Sequence, residues 1–261
     1  MTSTVCFWNG PDDSPREVAR AYLASLDALA RERMDCHLSI KAPALGFDRE
    51  LLSEILQRAG RIGILVHFDS LGPESADRTF SLIAELLPRY PRLGCTLPGR
   101  WRRSLGDAER AVELGLRVRV VKGQWEDQDG NGIDPREGFL AVIERLAGRA
   151  RHVGVATHDV PLARAALQRL SAAGTACELE LLFGLPHRRP AGAAGAAGIG
   201  ARFYVPYGQG CLPYHLGQAR ENPWTLWWFL RALALASFFR PPVALSQIRE
   251  AQDALYSGKV S

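Results

Sequence analysis

Polar and charged residues recur at the same place in successive apolar runs of this chain, at or just past the end of each run. Lys41, the pair His67 and Asp69, the pair Arg119 and Lys122, the triplet Thr157, His158 and Asp159, and Tyr204 with Tyr207 all sit this way. Cations gathered opposite carboxylates suit an anionic ligand or an electron-rich cofactor, and a lysine so placed is also an amine able to form a Schiff base with a carbonyl. Lys41 and Lys122 are the candidates for that second chemistry. Each residue has a structural alternative: Lys41 with Asp69 as a simple ion pair, Arg119 paired with Glu180, Asp159 as the cap of a helix at Pro161. The sequence contains no HExxH, GxSxG, Walker loop or GxGxxG fingerprint, which argues against zinc hydrolysis, a serine triad, a P-loop and a nicotinamide domain.

The elements that must position these residues follow from hydrophobic period. Short apolar runs alternate with longer segments of helical period almost from end to end, the pattern of βα units around a parallel sheet. Eight strands are predicted, at 4–8, 36–41, 63–69, 93–97, 117–122, 152–158, 177–183 and 202–206, the number that closes a (β/α)8 TIM-type barrel. Helix starts are marked by acceptors for unpaired N–H groups and by proline, which loses nothing in a first turn. Ser14-Pro15-Arg16-Glu17 is a capping box, Asp134-Pro135-Arg136-Glu137 repeats it, and Asp48 and Ser104 open two more helices. The glycine- and alanine-rich stretch 189–200 reads as a loose loop or frayed short helix, since each glycine costs about 1 kcal/mol against alanine in a helix interior. Asn222-Pro223 opens an aromatic helix beyond the barrel. In such a barrel the C-terminal strand ends and the loops after them share one site, which is where the polar residues fall.

Bulk properties agree. The 261 residues, 47% hydrophobic and 23% charged, are close to the size of one α/β barrel, and without a Pro/Ser-rich linker a single domain over 1–261 is expected, with extra C-terminal helices. A net charge of +4 without a block of like charge gives no reason to expect nucleic acid. Five widely spaced cysteines point to reduced thiols in the cytoplasm rather than to disulfides or a metal site, and no metal is expected. The apolar stretch 224–239 is interrupted by Arg231, so a buried or interface helix is expected, membrane contact being peripheral at most and homo-oligomerisation open.

In these residues the sequence resembles the proline dehydrogenase (proline oxidase) family. The matching segments, in order, are Ser39-Ile40-Lys41 with Ala44-Leu45-Gly46; Phe68-Asp69-Ser70; Arg117 to Gly123 (RVRVVKG); Ala156-Thr157-His158-Asp159; Glu178 to Gly184 (ELELLFG); Tyr204-Val205-Pro206-Tyr207-Gly208; and Tyr214 with Glu221-Asn222. The resemblance implies a noncovalent FAD at the barrel mouth and hydride removal from the carbon beside a secondary amine. It implies that Arg119 lies near flavin N5, that Lys122, Gly123, Trp125, Thr157, His158 and Glu221 border the cofactor, and that Lys41 meets the substrate carboxylate beside Asp69. Leu182, Tyr204 and Tyr214 would wall the ring, and a quinone or oxygen would take the electrons. Three departures stand out. Where the family carries an arginine pair on the helix after the eighth strand, this chain has Gly217 and Gln218; Pro98 falls at or near a family glutamine; and Trp125 stands where the family has a tyrosine after the lysine-glycine of the fifth strand. Arg100, Arg102 and Arg103 offer a relocated anion contact or simply a basic loop. The expected activity is therefore oxidation of proline or a proline-like amine without the usual free-carboxylate contact, as in a specialised pathway. The alternatives are a flavin-free lyase or aldolase using a lysine, and a non-catalytic barrel that binds a partner.

Overall fold

The computed structural model describes residues 2–32, 34–128 and 132–208. Tyr214, Gly217, Gln218, Glu221, the helix expected at Asn222-Pro223 and the 224–239 stretch lie outside them. Eight parallel strands, β1 (Thr2–Phe7), β2 (Cys36–Ile40), β3 (Val66–Phe68), β4 (Leu93–Pro98), β5 (Arg117–Val121), β6 (His152–Ala156), β7 (Cys177–Leu182) and β8 (Ala201–Tyr207), close into a barrel in chain order. Helices α1 (Pro15–Glu32), α2 (Arg49–Arg61), α3 (Ala76–Leu86), α4 (Ser104–Glu113), α5 (Pro135–Leu146), α6 (Val160–Ala172) and α7 (Arg188–Gly195) follow the first seven strands. The (β/α)8 barrel is as expected. Closure pairs β1 with β8 over six residues, Thr2 opposite Arg202 through Phe7 opposite Tyr207.

Strand alternation sorts the side chains. Val5, Leu38, Ile40, Val66, Phe68, Cys95, Leu97, Val118, Val120, Val153, Val155, Leu179 and Leu181 are buried in the layer between sheet and helices. Each such side chain stabilises the fold by roughly 1.5–3 kcal/mol. The complementary positions point into the barrel, and here they are polar: Thr4 and Cys6, His37 and Ser39, His67, Thr96, Arg117 and Arg119, Glu178 and Glu180, Arg202 and Tyr204. TIM barrels more commonly fill this space with branched aliphatic residues.

The helix signals act as read, except that Ser104 opens its helix without capping it. The Ser14 N–H donates to Glu17 Oε2 at 2.9 Å while the Glu17 N–H donates to Ser14 Oγ at 3.3 Å. Asp48 and Asp134 each accept two backbone N–H bonds in the first turn of their helices. Ser104 opens α4, but its hydroxyl donates to the Pro98 carbonyl at 2.6 Å, tying the helix to the end of β4 instead of capping it. The third strand is three residues long, not seven. Gly63, at φ +70°, and the Ile64 N–H bond to the Ala59 carbonyl make 63–64 the exit turn of α2. The stretch 189–200 is a short helix that ends at Gly195. The four described cysteines, Cys6, Cys36, Cys95 and Cys177, are free thiols.

Candidate active site

A chain of alternating charges runs through the lumen. It begins at Asp35, just before β2, and passes to Arg202 (3.5 Å), Glu178 (2.5 Å), Arg117, Glu180 (3.3 Å), Arg119 (2.6 Å) and Asp69 (2.6 Å) at the mouth. Three guanidinium groups and three sheltered carboxylates, Glu178, Glu180 and Asp69, balance inside a space that water reaches poorly, with the exposed Asp35 at the far end; such pairing is the condition for burying charge. Glycine makes the room: a Cβ on Gly154 would meet Glu180 Oε1 at 2.6 Å, and one on Gly94 would meet His67 Nδ1 at 2.5 Å. Burial opposes ionisation of Glu180, but the Arg119 and Arg117 guanidiniums outweigh it and hold the carboxyl at about 2. Burial, then the same two arginines, keep His67 neutral.

At the top of this chain Asp69 is the hub. Its Oδ1 accepts from Arg119 Nη1 at 2.6 Å and from Thr96 Oγ1 at 3.2 Å, and its Oδ2 accepts from the Tyr204 hydroxyl at 2.7 Å and from Cys6 Sγ at 3.7 Å. A carboxylate has about four acceptor positions, so these donors use them all. Burial and the Asp69 charge push the Cys6 thiol up to about 12 and the Tyr204 phenol well above its ordinary value, which keeps both protonated and donating. Arg119 is 3% exposed, donates further to Glu180 and Ser39, and stacks its guanidinium 5.0 Å from the Tyr204 ring centre. Its Nη2 has no partner among the described residues. The pairing with Glu180 weighed from sequence is therefore real, but it holds Arg119 at the mouth instead of removing it.

Lys41 makes no ion pair with Asp69. Its ammonium lies over the Trp8 ring, 5.1 Å from the centre, and Trp8 Nε1 donates to the Tyr204 hydroxyl at 3.2 Å. Trp8 and Cys6 escaped the sequence reading, although the alternation Thr4, Cys6, Trp8 places all three on the inward face.

On the far rim, Lys122 is exposed and Gly123, at φ +98°, lies so close to Pro98 that a Cβ would approach it to 2.8 Å. Trp125 is 50% exposed and Phe183 44%. The loop that carries Trp125 is fastened to the end of β4: Trp101 Nε1 donates to the Trp125 carbonyl at 2.9 Å, Arg100 Nη1 to the Gln124 carbonyl at 2.8 Å, and the Arg102 N–H to Asp127 at 2.8 Å. Arg103 is engaged by Asp77 and Asp107, so it belongs to the helix layer. His158 is held at both nitrogens, Nδ1 by the Pro186 carbonyl (3.0 Å) and Nε2 by the Leu182 N–H (2.9 Å). That fixes its proton on Nδ1, and burial lowers its pKa. Thr157 is buried and its hydroxyl accepts the Asp159 N–H; Asp159 caps α6 through the Leu162 N–H and pairs with Arg136. The structure thus brings Lys41, Asp69, Arg119 and Tyr204 into one connected group and sets Lys122, Gly123, Trp125, Thr157, His158 and Leu182 on the arc from β5 to β7. A buried guanidinium donor without a partner among the described residues, at a mouth whose rim carries exposed aromatic and cationic side chains, fits a planar, electron-rich, anionic cofactor. No group of residues able to hold a metal ion occurs among the described residues.

Fold and mouth together define a TIM-barrel protein whose lumen is filled by ion pairs and whose open end is cationic and aromatic. No protein-family model matches the chain. It is 25% identical over 222 residues to proline dehydrogenase 1 of Bacillus subtilis subsp. natto, covering 79% of this chain and 72% of the relative. It is 21% identical over 221 residues to proline dehydrogenase 2 of Bacillus subtilis strain 168, covering 80% and 73%. Among solved structures, proline utilization A from Bdellovibrio bacteriovorus, inactivated by N-propargylglycine, superposes with a TM-score of 0.70 at 16% identity; the match covers 80% of this chain but 28% of that one. Over about four-fifths of its length the chain is thus similar in sequence to proline dehydrogenases, and its barrel has the fold of the proline utilization A structure.

Proposed function

We propose that this protein is an FAD-dependent dehydrogenase of proline or a proline-like secondary amine. The observation that supports it is the Asp69 hub, which locks Arg119 and Tyr204 beside Lys41 at the mouth of a barrel similar in sequence to proline dehydrogenases. FAD, when bound, supplies the acceptor for the hydride that leaves the carbon next to nitrogen. In this reading Arg119 offers its spare Nη2 donor to the electron-rich ring, and its charge is fixed because Asp69 and Glu180 hold it rigidly. Lys122, Gly123, Trp125, Thr157 and His158 border the cofactor along the β5–β7 arc. Lys41 faces the acid end of the substrate, and Leu182 and Tyr204 exclude water from the reacting carbon. The resemblance assigns Glu221 to the cofactor and Tyr214 to the ring, both outside the described residues. Asp69, with its acceptor positions filled, positions its neighbours and abstracts no proton.

The substrate follows from Gly217 and Gln218. Each charge-assisted bond lost with the family's arginine pair is worth roughly 1.5–3 kcal/mol. A carboxylate gripped by Lys41 alone binds weakly, so the preferred amine carries its carboxylate masked as an ester or amide, lacks it, or presents it differently. A quinone or oxygen regenerates the cofactor. The test is an absorbance spectrum of the purified protein followed by anaerobic bleaching with proline, prolinamide and pyrrolidine. A yellow protein bleached fastest by prolinamide or pyrrolidine is expected. Fastest bleaching by free proline sinks the substrate assignment, and a colourless protein that refuses FAD sinks the whole reading.

A further inference from the structure

We propose that Trp8 is a positioning residue for the anion-binding end of the site. It seats the Lys41 ammonium on its ring face and fixes the Tyr204 hydroxyl through its ring N–H. Tryptophan joins these two capacities in one side chain, a strong cation-binding face and an N–H donor.

Trp8 follows the last residue of β1, and its backbone N–H donates to the Tyr207 carbonyl at 2.7 Å, so the indole is carried on the β1–β8 seam. Gly208 allows this approach, since at φ +102° a Cβ there would meet the Trp8 carbonyl oxygen at 2.7 Å and the Phe7 ring at 2.6 Å. From that seam the indole reaches two neighbours. The Tyr204 hydroxyl accepts from Trp8 Nε1 at 3.2 Å, and this leaves the phenol proton for Asp69 at 2.7 Å. The hydroxyl rotor is set from one side by a donor and from the other by an acceptor. The second neighbour is Lys41, 5.1 Å above the ring. An ammonium on a four-carbon stem samples many rotamers unless something selects one. Among the described residues Lys41 forms no salt bridge, and the contact that selects its rotamer there is the π face of Trp8. Moving the indole therefore moves both groups that flank the anion position beside Lys41.

This inference rests on Lys41 as the anion contact. Its test is separable from turnover: calorimetric binding of cyclopentanecarboxylate, with cyclopentanemethanol as the neutral control, to the FAD-loaded protein. Trp8→Leu should weaken carboxylate binding about tenfold, in line with a partly desolvated cation–π contact, and leave the alcohol unchanged. Trp8→Phe, which keeps a π face, should stay within about threefold of the parent. On a Lys41→Met background, Trp8→Leu should cause no additional loss, because the two residues act as one unit. Should Trp8→Leu fail to fold by circular dichroism, Trp8→Met carries the same comparison. Parent-like carboxylate binding by the Leu variant, an equal loss on the Met background, or no carboxylate binding by the parent overturns the proposal. A Trp8-dependent carboxylate site in a protein that no amine bleaches would sink the dehydrogenase reading and leave this one standing.

Discussion

Arg119 is held between two buried carboxylates, Asp69 and Glu180, and its removal leaves both without their shared cation. Breaking a buried pair in this way costs about 3–5 kcal/mol, so Arg119→Met should lower the denaturant midpoint by that equivalent at unchanged slope, read by urea unfolding. A substitution within ±0.5 kcal/mol would mean that water reaches the pair. The sequence made Lys41, Asp69, Arg119 and Tyr204 visible because each follows or closes an apolar run, where strand ends expose side chains to a shared mouth. Trp8 and Cys6 were hidden because tryptophan and cysteine read as ordinary apolar members of the first apolar run. The role of Asp69 as a saturated hub was hidden as well, since acceptor occupancy depends on four donors from four different strands. His158 was read as a cofactor neighbour, but that both its nitrogens bond backbone of the β7 segment has no signature in local sequence.

At the scale of elements, the strand count and order were legible because period 2 and period 3.6 alternate cleanly around the chain. The length of β3 was not, because Gly63 and Ile64 are apolar neighbours of the strand whose backbone belongs to the end of α2. The lumen is the more instructive case. Inward glycines and charges look in sequence like weak strand positions, and only their juxtaposition shows that Gly154 supplies the volume Glu180 occupies. Gly154→Ala should destabilise by about 1–3 kcal/mol, since the added methyl meets a charged oxygen fixed by Arg119 and cannot be relieved by rotation. Thermal unfolding reads it, and a Tm equal to the parent's would show that β6 shifts freely. Gly192→Ala, where a Cβ meets nothing within 4 Å, is the matched control in α7.

For the molecule as a whole, the buried ion pairs and neutral histidines set a pH window. Burial first, then Arg117, lower His152 from 6.5 to about 4, and burial with Arg202 and Arg117 lowers His37 to about 2. A base whose pKa is depressed by folding takes up protons more readily when unfolded, so stability is full above 6.5 and falls as pH drops toward 4. Glu180, depressed from 4.5 to about 2, contributes above 4.5 and loses its contribution as pH falls through 2. Tm measured from pH 7 to 4 should therefore decline, and His152→Asn should flatten that decline. An identical slope in the variant would place the loss elsewhere.

The seam between β1 and β8 joins Thr2 to Ala201, 199 positions along the polypeptide. Ribosomes add about 5–20 residues per second, so the opening strand waits roughly 10–40 seconds for its second neighbour. Through that interval its outer hydrogen-bonding edge has no partner strand from its own chain, the condition under which an edge is open to wrong pairing.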